Sequence, residues 1–166
     1  MCTNQNRISV LAAAFLALSL PEIARLSVAA QPPEACELLS QQEVAALLGV
    51  EVDAGKSILG ATECRWTERG KRPGDEVAIL EINLIKAQAF EIGKTPIPGW
   101  NKSAQTGIGD EAYSADSGKV VWLASPTLSV KKGSVSLVIF VKVPKASLEQ
   151  TTAVEKKVAL KVVEKL

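Results

Sequence analysis

Two cysteines, Cys36 and Cys64, constrain this chain more than any other pair of residues. The segment between them opens with a helix signature and closes on Cys64-Arg65-Trp66 at the start of an extended run, so a bond between them would fasten a helix to a sheet. A metal or redox role for the pair lacks partners, because the chain has no histidine and no Cys-x-x-Cys spacing. The third cysteine, Cys2, lies in a segment that reads as a secretory signal. There Arg7 precedes an apolar run from Ile8 to Leu20, and Ser27, Val28, Ala29 and Ala30 supply the small residues of a cleavage site. The run is too short to span a membrane. The expected organisation is a signal peptide over 1–30 and a single α+β domain over 31–166, periplasmic or extracellular. In such a compartment the two remaining thiols oxidise, and closing the loop adds about 3 to 4 kcal/mol.

Composition narrows the class. With 166 residues and 47% hydrophobic content, the chain has enough apolar material for one globular core. Loss of the signal removes Arg7, Arg25 and Glu22, two basic groups and one acidic, which takes the net charge from +1 to zero. Nothing in that balance draws the protein to nucleic acid or an anionic membrane, and no transmembrane segment is expected after the signal. No cofactor motif is read.

Local patterns give the elements in order. Ser40-Gln41-Gln42-Glu43 is a capping box, Val44, Leu47 and Leu48 form an apolar stripe, and Gly49 suits a left-handed cap. Extended segments follow around Val52 and over 64–67, and alternation of Ala78, Leu80, Ile82 and Leu84 predicts a strand. A short helix is predicted over 87–92, stopped by Gly93, with prolines in 95–100 preventing its continuation. Strands are expected at 112–114 and 119–123 around an Asp116-Ser117-Gly118 turn, and at 128–130 and 134–143 around Lys131-Lys132-Gly133. The last strand is apolar on both sides, which marks a central position. Ser147-Leu148-Glu149-Gln150 opens a terminal helix with the stripe Leu148, Val154, Val158, Val162, Val163 and Leu166. The glutamates Glu149, Glu155 and Glu164 share that helix with its lysines, which argues against an anionic-lipid face.

Several motifs invite chemistry and have plainer explanations. Gly55-Lys56-Ser57 lacks the preceding glycine, strand and helix of a phosphate loop. Gly107-Ile108-Gly109 enters a strand, where a dinucleotide fingerprint enters a helix. Glu43 is explained by its cap. The pairs Asp75-Glu76 and Asp110-Glu111 flank turns and read as solvated, and Asn101-Lys102-Ser103 is a glycosylation sequon in form. Trp66 and Trp122 fall in strands and read as packing. Trp100 stands in a stiff loop with Pro96, Pro98 and Gly99, which makes Trp100, Pro98 and Tyr113 the candidate partner contacts.

The pattern from Cys36 through Leu47-Leu48-Gly49, with Cys64-x-Trp66, Gly107-x-Gly109-Asp110-Glu111-Ala112-Tyr113 and Val130-Lys131-Lys132-Gly133, resembles a family of small secreted bacterial domains of unknown function, many of them lipoproteins. The resemblance implies an architecture similar to the extrinsic photosystem subunit PsbP, an α-β-α sandwich around a mainly antiparallel sheet. It assigns no catalytic residues and carries over only the paired cysteines, onto Cys36 and Cys64. The residues before Cys36 lack a lipoprotein signal. The expectation is an exported, non-enzymatic binding or accessory protein whose partner is a protein or small ligand of the cell envelope. The alternative is a secreted hydrolase using loop carboxylates.

Overall fold

The computed structural model describes residues 33–117 and 126–166, all within one unit, Gln31–Leu166. Among the described residues, seven strands form one antiparallel sheet in the order β1-β2-β3-β7-β6-β5-β4, flanked by three α-helices. The strands are β1 (Lys56–Ser57), β2 (Glu63–Thr67), β3 (Ile79–Ile85), β4 (Asn101–Gln105), β5 (Glu111–Asp116), β6 (Thr127–Lys132) and β7 (Val135–Lys142). The helices are α1 (Gln41–Leu48), α2 (Ala87–Gly93) and α3 (Leu148–Val163). This is an α+β fold.

The topology is two meanders, β1 to β3 and β4 to β7, joined where β3 pairs with β7. The connection carrying α2 crosses from the middle of the sheet to its far edge, and the chain then walks back strand by strand. Register decides which residues share a face. Leu80, Ile82 and Leu84 stand opposite Val141, Ile139 and Leu137, and the last two of these stand opposite Leu128 and Val130. With Cys64 and Trp66 of β2, this row meets Val44 and Leu48 of α1 and Val158, Ala159 and Val162 of α3 in one buried cluster. The alternate residues Val138, Ser129 and Tyr113 face the other side, where Phe90 of α2 packs on Tyr113. β7 is thus central, as its two-sided apolar pattern predicts.

Both capping boxes form. Ser40 accepts from the Glu43 amide while Glu43 accepts from the Ser40 amide, Gly49 closes α1 at φ 72°, and Ser147 and Gln150 repeat the arrangement at α3. The segment before α1 has a turn of its own. Residues Ala35–Glu37 make a separate 3-10 turn, so Cys36 sits outside α1, and its bond to Cys64 ties that turn to β2 with the Cα atoms 5.0 Å apart. The disulfide expected from the sequence is therefore present.

The terminal helix also differs from its expected pattern. Its buried face is Thr151, Glu155, Val158, Ala159 and Val162, while Val154 and Val163 are half-buried. Glu155, expected among the solvated charges, is 0% exposed, and neither its carboxyl oxygens nor the Thr151 hydroxyl has a hydrogen-bond partner among the described residues. The spacings of four and seven residues put 151, 155, 158 and 162 on one stripe, and the long helix docks on it despite two polar members. The β-hairpin partner expected over 119–123, with Trp122, lies outside the described residues; the described partners of β5 are β4 and β6.

Candidate functional site

The site is built where α2, the proline-bearing connection and the β4-β5 hairpin meet. The connection leaves α2 through short turns, with the Thr95 amide donating to the Ile92 carbonyl and the Trp100 amide to that of Ile97. Gly99, at φ 79°, supplies the left-handed residue that turns the chain into β4. Lys102 reaches back from β4, and its ammonium donates to the carbonyls of Gly93 and Thr95. A cation there satisfies carbonyls left open at the end of α2 and matches the sign of the helix dipole. The same lysine fixes the loop that carries Trp100.

Tyr113 closes the other side. Its ring lies 5.3 Å from that of Phe90 at 55°, a tilted aromatic pair, and the Lys94 ammonium stands 5.4 Å from the Phe90 ring centre. Gly93 is required by this approach, because a Cβ there would come within 2.1 Å of the Tyr113 hydroxyl oxygen. Between Trp100 and Tyr113 opens a pocket of about 190 Å³ whose floor is Ala115, Ser129 and Val138. Ile97, half exposed, lines it, and Ile92 near the end of α2 is 64% exposed.

Tyr113 also lines a larger cavity of about 530 Å³ along the hairpin, which holds Asp110 and Glu111. Both carboxylates are already committed. Asp110 accepts from the Gly133 amide at 2.6 Å and from Lys132 at 3.2 Å, and these two contacts, the amide first, hold its carboxyl below the usual range. Glu111 pairs with Lys94 at 2.9 Å. Lys94 is held above its ordinary value by Glu91 first and Glu111 second, and Glu91 is held below its own by Lys94 and then Lys131. Acid–base catalysis by a carboxyl pair requires one member raised toward neutrality, whereas Asp110 is held in its charged form.

Of the residues singled out in the sequence, Trp100 and Tyr113 are brought to one pocket. Pro98 is exposed on the loop and does not line it. Lys102 and Gly93 escaped sequence reasoning, since a polar edge strand and a helix-stopping glycine give no sign of each other. Gly55-Lys56-Ser57 runs into the edge strand β1, and Gly107-Ile108-Gly109 into β5. Glu43 caps α1 and pairs with Lys165 at 2.8 Å. Among the described residues no group of three or more His, Cys, Asp or Glu could hold a metal ion, and no helix is long and apolar enough to cross a membrane. No family model, curated protein or solved structure matches this chain.

Proposed function

We propose that the protein is an exported, non-enzymatic binding module that seats an apolar group of an envelope protein or small ligand between Trp100 and Tyr113. The observation that carries this reading is the convergence of a half-buried tryptophan, a tyrosine and an exposed isoleucine on one pocket, held by Lys102 and a close glycine contact. Its volume suits one large side chain or a small ring. Aromatic anchors on a stiff scaffold bind at low entropic cost, which is the physical advantage of a proline-bearing loop. Export is supported by the disulfide, a bond that persists in oxidising compartments, and by the signal-like segment over 1–30. The helix layers on the two sheet faces support the PsbP-like part of the resemblance. The test is capture of partners from envelope extracts with the intact protein and with Trp100→Ala. A partner retained equally by both would refute the assignment of this pocket.

A further inference from the structure

A second concavity, sharing no residue with the Trp100 pocket, lies where β7 passes into α3. It is a groove of about 510 Å³ whose apolar wall is made by Leu48 at the end of α1, Val143, Pro144 and Val154. Val143, Pro144 and Val154 are only half-buried, so this wall faces solvent. Two exposed lysines, Lys145 and Lys157, line the same groove, and no acidic residue does.

Neither lysine makes an ion pair with a described residue, whereas Lys161 of α3 and Lys165 just beyond its end both pair with Glu43. Lys145 also holds φ 64°, the one positive value at a non-glycine among the described residues. A long side chain in the left-handed region is conformationally costly, and such residues persist where their placement is used. The turn here presents an ammonium to the groove where glycine would have been the unstrained choice.

An apolar trough with two unpaired cations and no acid is complementary to a molecule with an apolar body and an anionic head. We infer that the groove binds a free, single-chain anionic amphiphile of the fatty-acid type. The chain lies along Pro144, Val143, Leu48 and Val154, and the carboxylate meets Lys145 and Lys157. The volume falls within the range of ordinary small-ligand sites. This inference goes beyond the Trp100 reading and stands or falls separately from it.

The probe is dodecanoate below its micelle-forming concentration, titrated into the disulfide-bonded protein and followed through the methyl resonances of Leu48, Val143 and Val154. Saturable shifts confined to this groove are expected, at least tenfold weaker with dodecyltrimethylammonium in place of the anion. Lys145→Gln with Lys157→Gln should weaken dodecanoate at least tenfold, as should 0.5 M salt in part, by screening. Lys145→Gly, which relieves the backbone while removing the cation, separates loss of charge from loss of fold and should also weaken binding. Equal binding of both amphiphiles, full affinity in the lysine variants, or binding only to anionic phospholipid vesicles would overturn the inference.

Discussion

Cys64 and Gly55 lie so close that a Cβ on the glycine would stand 2.7 Å from the Cys64 sulfur and equally near the Trp66 indole. The disulfide therefore packs against backbone as well as joining Cys36 to β2, and the glycine is the floor of its seat. Cys36→Ser is expected to cost about 2 to 5 kcal/mol, Cys64→Ser the same, and the double variant little more, since each loses one bond. Urea unfolding with and without reductant checks this, and the native protein should resist thiol alkylation. Gly55→Ala should also destabilise, because both neighbours are buried and neither can withdraw freely.

Glu155 makes stability fall between pH 4.5 and about 8. Burial pushes its carboxyl from 4.5 up to about 8; the Val141 backbone pulls the other way but forms no hydrogen bond of normal geometry with either oxygen. The unfolded chain releases this proton near pH 4.5 and the folded one retains it to about pH 8, so this group's effect is to lower stability progressively as pH rises through that window. Glu155→Gln should be close to wild type at pH 4 and more stable by about 2 to 5 kcal/mol at pH 8. Parallel stability curves for the two proteins across that range would contradict this.

Glu43 acts in the opposite direction. Its hydrogen bond with Lys165, then that from the Ser40 amide, hold the carboxyl down to about 2. Its contribution is present above pH 4.5 and is lost as pH falls through 2. Glu43→Gln keeps the cap and removes the pairs with Lys161 and Lys165 that join α1 to α3. The solvated setting limits the cost to about 1 kcal/mol near neutral pH, shrinking in high salt.

The processing site follows from Arg7, the apolar run and the small residues at 27–30. Exported material should begin near Gln31. Mass spectrometry finding an intact Met1 in that material would remove the signal from the account.

What could be read from the sequence was what local chemistry writes locally. Ser40 with Glu43 and Ser147 with Gln150 announce helix starts, and the alternation in β3 and β7 announces strands, because capping and pleat act over a few residues. β4 was illegible because an edge strand exposed on both faces, Asn101–Gln105, has no apolar alternation to display. Glu155 was misplaced because a charged letter reads as solvent-facing, while the packing of a sixteen-residue helix decides its rotation as a whole. The site was half legible. Trp100 stood out by its rigid loop, but its placement on one pocket with Tyr113, like the hold of Lys102 on Gly93 and Thr95, depends on how the crossing connection returns to the sheet.

The pocket between Trp100 and Tyr113 is the centre of the functional reading, and a fragment titration monitored by amide and indole NH resonances tests it most directly. Small aromatic and branched aliphatic fragments are expected to bind saturably, shifting the Trp100 indole, Lys102, Tyr113 and Ser129 together, and to lose that response in Trp100→Ala and in Gly93→Ala, whose new Cβ displaces the Tyr113 ring. Saturable binding that leaves these residues unmoved, or shifts unchanged in both variants, would contradict the account.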